Sequence, residues 1–464
     1  MKRTLITSSI LMMLGTPAYA ADDLTAIRQE IQQMKASYEA RIQQLESRLA
    51  QTEAATKQAD KKAEQADTKA DLASQVAAVA AQPAPSRESA FNPAISLILA
   101  GTANHSSLSP STYSIGGFIP SGGEVAPNAR GFSLGESELA ISANIDPDYR
   151  GNFVLAMAPD NTVGIENAFI QTLGLGYGLS AKAGRFYSDI GYLNKIHAHA
   201  WDFTDAPLVY KSFLGNQFAD DGVQVKWIAP TDSLLVELGA EIGSGRSFPA
   251  TTKDKNGSVA GALFAHVGGD YDESNSWRAG LSYLGVGAQD RSYTDVDALG
   301  APTTNAFSGK SKTLIADFIW KWAPNGNSTV NSLKIQGEYM RRNEDGDLTC
   351  TGCATSTTGT LATTQSGWYL QTVYQFMPHW RVGLRHDSMS SGSVVLGTGL
   401  SAADFPILAA YSPSRNTVMM DYSPSEYSRF RVQYARDASR PTEIDNQFSL
   451  QYITSLGAHG AHTF

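Results

Sequence analysis

Leu314-Ile315-Ala316-Asp317-Phe318-Ile319-Trp320-Lys321-Trp322, closed by Ala323-Pro324-Asn325-Gly326, is the stretch whose reading decides the fold. Successive side chains of an extended chain point to opposite faces, so Leu314, Ala316, Phe318, Trp320 and Trp322 share one face while Asp317 and Lys321 lie on the other. Pro, Asn and Gly then supply a tight turn. The same alternation recurs at Leu333, Ile335, Gly337 and Tyr339 against Lys334 and Glu338, and at Phe430, Val432 and Tyr434. Between residues 94 and 464 about sixteen segments of roughly ten residues follow it, as strands do that face lipid on one side and water on the other.

The spacing of the turns sharpens this into an all-β transmembrane barrel of about 16 antiparallel strands. Short connections fall at Asp146-Pro147-Asp148, Gly174 to Gly178, Ala229-Pro230-Thr231-Asp232, Asp270 to Asn275, Ala323 to Gly326, Met377-Pro378 and Ser423-Pro424-Ser425. Between them lie mostly long connections, at 104–131, 186–219, 244–257, 287–311, 343–365 and 388–413. Short turns at one end and long loops at the other are what a barrel inserted from one side of a membrane requires. A soluble sandwich has no reason to alternate this way.

The N-terminal part reads differently. Residues 1–20 carry Lys2 and Arg3, an apolar run from Leu5 to Leu14, and the small-residue site Ala18-Tyr19-Ala20, which together predict a signal peptide. Over 21–79 the apolar positions Leu24, Ile27, Ile31, Met34, Tyr38, Ile42, Leu45 and Leu49, then Ala59, Ala63, Ala66, Ala70, Ala73 and Ala77, keep coiled-coil spacing. The alternative is a solvated Ala/Lys/Gln-rich tether. Residues 80–93, with Gln82-Pro83-Ala84-Pro85-Ser86, read as a linker, and 94–464 as the barrel.

Composition excludes more than it names. The charged fraction is 17% and the net charge −9, or −11 without Lys2 and Arg3, which argues against nonspecific binding of nucleic acid. No apolar run of about eighteen residues offers a transmembrane helix. Neither Gly-x-Ser-x-Gly nor His-Glu-x-x-His occurs, and the 8 His form no evident triad, so an enzyme is not expected. No cofactor is implied. Cys350 and Cys353 are the only cysteines; a local loop disulfide is one reading, a redox or metal Cys-x-x-Cys the other.

A coiled coil followed by such a barrel resembles the trimeric porins, particularly sugar porins with a periplasmic helical extension and the phosphate-selective porin family. Gly116 to Glu124, Gly131 to Leu139 and His197-Ala198-His199-Ala200-Trp201-Asp202 resemble a proteobacterial outer-membrane family, some of whose members are named zinc-regulated TonB-dependent receptors. Plugged lumens belong to barrels of about twenty-two strands, whereas residues 21–93 here read as helix and linker. The last strand, Phe448, Leu450, Tyr452, Thr454, Leu456, Ala458, Gly460, His462 and Phe464 on one face, looks like the C-terminal signal that barrel-assembly machinery reads from a final aromatic. Phe464 would be that signal.

The resemblance implies a homotrimer in outer-membrane lipid with its coiled coil in the periplasm. It also implies that the connection 186–219 folds inward as the pore constriction, carrying Asp189, Lys195, His197, His199, Asp202, Asp205 and Lys211. In an extended segment His197 and His199 point the same way and could share Zn²⁺ with Asp202 or Asp205; otherwise they are hydrogen-bonded or pore-exposed. His459 and His462, near the periplasmic end of the last strand, are not expected to reach this connection and complete a site. Strand parity assigns Lys321, Lys334, Arg381, Arg385, Arg429 and Arg431 to the lumen wall, with Asp317, Glu338, Asp387 and Asp421 beside them. The function expected is a water-filled outer-membrane porin for small hydrophilic solutes or ions. A substrate-specific channel for a metal complex, phosphate or sugar, or a structural barrel anchoring the membrane to the periplasm, are the alternatives.

Overall fold

The computed structural model describes residues 93–122, 125–158, 162–251, 257–297 and 299–457. The signal peptide, coiled coil, most of the linker, His459, His462 and Phe464 lie outside them. Among the described residues the chain forms seventeen strand segments: β1 (Ala94–Ser106), β2 (Gly131–Leu134), β3 (Ser137–Asn144), β4 (Tyr149–Met157), β5 (Val163–Thr172), β6 (Leu179–Tyr187), β7 (Ala219–Ile228), β8 (Leu235–Gly243), β9 (Ala260–Asp272), β10 (Asn275–Val296), β11 (Pro302–Trp322), β12 (Ser332–Thr351), β13 (Thr358–Met377), β14 (Trp380–Leu396), β15 (Ser414–Ser425), β16 (Ser428–Ala438) and β17 (Asp445–Gly457). β2 and β3 both pair with β1, interrupted at Gly135-Glu136, and count as one broken stave. The barrel therefore has sixteen antiparallel staves, closed where β17 pairs with β1 from Ser96↔Gly457 to Ser106↔Gln447.

Closure removes the edges that an open sheet would leave with unpaired backbone groups. Alternation along each stave does the rest. Leu314, Phe318, Leu370, Leu384, Val418, Met420, Phe430 and Val432 are exposed on the outer face. Their neighbours Asp317, Arg385, Asp421, Arg429 and Arg431 are buried inside. Apolar contact with the surroundings and charge within is the inverse of a soluble protein. No helix among the described residues is long and apolar enough to cross a membrane.

The staves differ greatly in length. β3 to β8 hold 8 to 10 residues, whereas β10 to β13 hold 20 to 22. A bilayer crossing needs about nine to eleven, so the tall staves continue well past it. The sequence reading of 287–311 and 343–365 as loops is corrected by this: β10 runs to Val296 and β11 starts at Pro302, while β12 runs to Thr351 and β13 starts at Thr358. Their abundance of Ser, Thr, Asp and Gly suggests loop, but every second residue packs inward. Tyr293, Phe307, Leu348, Cys350 and Leu361 join Phe405, Leu408 and Ile119 in a separate apolar cluster. The last short turn also moves, since β15 runs through Ser425 and Glu426-Tyr427 make the bend.

Candidate functional site

The connection from β6 to β7, residues 188–218, enters the barrel and packs against the wall. Ile190, Leu193, Phe203, Ala206, Leu208, Val209, Tyr210, Phe213 and Leu214 are all at most 5% exposed. Several of them meet Leu284, Ile315, Met340, Tyr369 and Met389 of the tall staves in one apolar cluster. Burying such a side chain is worth about 1.5–3 kcal/mol, so this apolar face directs the segment inward. Its one α-helical turn pair, Leu208–Leu214, starts after Pro207, which suits a helix start, and ends at Gly215 in the left-handed region at φ 62°. Asp387 of β14 accepts the Leu208 N–H at 3.0 Å.

Polar contacts fix its position. Glu338 of β12 accepts the Tyr192 and Leu193 N–H groups at 3.1 and 3.0 Å, and the Tyr210 and Tyr369 hydroxyls at 2.8 and 2.7 Å. Gly191 allows this: its φ is 63°, and a Cβ there would stand 2.3 Å from Glu338 Oε2.

Asp202 accepts from Arg381 at 3.3 Å and Gln371 at 3.1 Å and pairs with Lys334. Asp205 pairs with Arg415, with Arg385 at 3.1 Å and with Lys211 at 3.3 Å, and accepts from Gln433 at 3.2 Å. Burial pushes the Asp205 carboxyl up, but Arg415, Lys211 and Arg385 outweigh it and hold it well below the usual carboxylate range. Burial acts the same way on Asp202, and Lys334 and Arg381 reverse it.

The remaining charges assort around this. Arg381 forks onto Asp421 at 3.0 and 2.6 Å, and Arg431 reaches the same carboxylate at 3.3 Å. Arg385 also binds Asp387 at 3.0 Å, and Arg429 donates to the His199 carbonyl at 2.5 Å. Lys321 stands opposite Lys334 near the strand ends. Asp189 keeps separate company, 3.6 Å from Lys182 of β6 and 3.3 Å from Lys226 of β7, with Lys195 half-buried on the same segment. Cys350 and Cys353 are disulfide-bonded, with Cα atoms 5.9 Å apart.

The histidines keep different company from the one the sequence suggested. Asp202 and Asp205 are taken by the arginine wall, and the chain at His197 is no extended strand but enters a short 3-10 turn, Ala198–Ala200. His197 meets Glu166 and Glu138, and His199 meets Glu138. Sequence reasoning missed these two glutamates, as well as Arg415, Lys182 and Lys226. Parity on β3 points to Glu138; Glu166 depends on a bulge that no local pattern announces. Arg415 escapes the parity reading because β15 begins at Ser414, directly after the long connection 388–413.

No protein-family model matches the chain. A protein of Aquifex aeolicus (strain VF5), described as uncharacterized, is 30% identical over 351 residues, spanning 72% of this chain and 70% of the relative. The chain belongs to that protein's family. Solved structures similar to it include a loop-deleted OmpT of Vibrio cholerae, at TM-score 0.49 and 11% identity over 79% of this chain and 99% of that one. Another is OprB of Pseudomonas putida, at TM-score 0.46 and 12% identity over 79% and 94% of the two chains. A third is the channel DcaP of Acinetobacter baumannii, at 0.45 and 12% over 79% and 97%.

Proposed function

We propose that this family member is an outer-membrane channel through which small hydrophilic solutes or ions diffuse, narrowed by residues 188–218. The observation that carries the reading is the inversion across one wall: an apolar outer belt at Leu314, Phe318, Leu384 and Phe430, and charged residues at the alternate inward positions. Only a closed barrel can hold such a wall in lipid without unsatisfied backbone. A lumen lined with fixed charge is a route for hydrated solutes.

In this reading Asp189, Lys195, His197, His199, Asp202, Asp205 and Lys211 form the constriction. Arg381, Arg385, Arg429 and Arg431, with Lys321 and Lys334, form the wall it rests on. The arginines serve first as anchors for the segment, because its aspartates engage them directly. That tight engagement favours, as a second reading, a channel selective for one class of solute over a general pore. The proposed assembly is a homotrimer whose N-terminal helices join as a periplasmic coiled coil, with Phe464 read by the assembly machinery.

Single-channel recording in a planar bilayer tests this. Steady conductance that does not saturate supports the diffusion pore, and block by one solute supports the selective channel. Silence would leave a structural anchor and overturn both.

A further inference from the structure

Four side chains from three separate parts of the chain meet where the inward segment passes β3 and β5. Glu138 Oε1 lies 2.5 Å from His199 Nδ1, and Glu138 Oε2 lies 3.1 Å from His197 Nδ1. Glu166 Oε2 reaches that same His197 nitrogen at 2.8 Å. Glu166 gets there through a bulge: Val154 pairs with Asn167 and Leu155 with Ile165, so Glu166 is the extra residue and its side chain is re-aimed. Glu138, His197 and His199 each bring one ligand atom within 4.8 Å of the others.

Hydrogen bonding alone serves this arrangement poorly. His197 Nδ1 carries at most one proton, directed along one line, yet two carboxylate oxygens from different strands face it. These are hydrogen-bond distances; a cation with bonds of about 2.0–2.2 Å would draw on all of the same atoms once they spread by under about 1 Å to ligand spacing. The nitrogen on the far side of the ring is provided for as well. Asn167 Nδ2 lies 2.9 Å from His197 Nε2; turning the amide over would let its oxygen accept an Nε2–H and leave Nδ1 to ligate. The Arg429 bond to the His199 carbonyl, at 2.5 Å, fixes the backbone that presents the second ring.

We propose that His197, His199, Glu138 and Glu166 bind one first-row divalent transition-metal ion of the Zn²⁺, Co²⁺ or Ni²⁺ kind. Neutral imidazole mixed with carboxylate suits these ions, whereas Mg²⁺ and Ca²⁺ prefer all-oxygen shells. The Glu138 and His199 side chains are each 3% exposed and form the rigid half of the site, while His197 at 21% forms the open half. Beside it a cavity of about 180 Å³, with Glu136 and Glu166 in its wall, gives an ion a way in. The site does not depend on whether the barrel conducts.

The test uses metal-stripped, full-length protein in detergent, titrated calorimetrically with Zn²⁺ and followed by the visible absorption of Co²⁺. One ion per chain is expected. His199→Ala and Glu138→Gln should weaken binding by more than the roughly 10- to 100-fold that loss of an outer-shell partner costs, and Asn167→Ala by about 10-fold. His386→Ala, at a half-buried histidine on β14 that meets Asn416 and Trp368, should change nothing. Heat-shifted gel mobility checks that each variant is a folded barrel. Should His199→Ala fail that check, Glu166→Gln at the more open side carries the test, with a loss of at least about 10-fold expected. Absence of stoichiometric binding, binding undiminished in the folded variants, or preference for Mg²⁺ or Ca²⁺ overturns the proposal.

Discussion

Replacing Asp205 by Asn keeps the side chain's size and removes one negative charge from among Arg415, Arg385 and Lys211. Breaking a buried pair by neutralising one partner costs about 3–5 kcal/mol. Two of the cations keep other acceptors, Arg385 in Asp387 at 3.0 Å and Arg415 in Asp437 at 3.7 Å. Asp205 is also 22% exposed, so the cost falls at the lower end, about 3 kcal/mol. That is roughly a hundredfold rise in the population whose inward segment has left the wall. Two assays read it. Trypsin should cut after Lys195 and Lys211 far faster in the variant, since both sit on the released segment. In a salt gradient across a bilayer, the reversal potential should move toward anion preference, because fixed lumen charge attracts its counter-ion. Neutralising Arg385, Arg429 and Arg431 should move it the opposite way. Cleavage rates and reversal potentials that match the parent protein in both sets would refute the anchoring role and the inward assignment of these staves.

Three further outcomes follow from other parts of the wall. Gly191→Ala places a Cβ 2.3 Å from Glu338 Oε2 at φ 63°; left-handed backbone alone costs about 1–2 kcal/mol, so the thermal midpoint should drop, and an unchanged midpoint would contradict the close approach. The Asp202 and Asp205 carboxyls sit below their unfolded value of about 3.9, so their stabilisation is complete above that pH and is lost only as pH falls through the lower, folded values. Protease resistance of residues 188–218 should therefore hold from pH 7 down to about 4 and decline only progressively at lower pH; failure near pH 6 would point to another group. Changing Cys350 and Cys353 together to Ser should cost no more than about 2 kcal/mol, because they close a very short loop, and should leave conductance unaltered when measured beside the parent protein.

Local chemistry carried the wall of the barrel. Leu314 to Trp322 states its own strand, face and turn, and Arg381, Arg385, Arg429 and Arg431 lie inward by the same two-residue period. Polarity in place of period misleads at 287–311, because Tyr293 and Phe307 are the large apolar side chains that pack inward there, amid Ser, Thr, Asp and Gly. The site was legible in part. His197 and Asp202 could be placed on one inward segment, but which partner each finds depends on strands far along the chain in either direction. Glu166 faces His197 only because β5 holds one residue more than β4 across the bulge. No sequence window contains that count.

The inward segment also imposes an order of events on the chain. Its anchors lie far downstream: Tyr210 to Glu338 spans 128 residues, Asp205 to Arg415 spans 210, and His199 to Arg429 spans 230. None of these contacts can form until most of the later strands exist, so residues 188–218, though translated early, dock late. Contacts of such separation reward the chain only after a large loop has been closed, which slows folding. Until then Phe203, Phe213 and their neighbours stand without their burial partners. The inward segment is thus the part most open to a holding factor or a protease before the final seam between β1 and β17 is made.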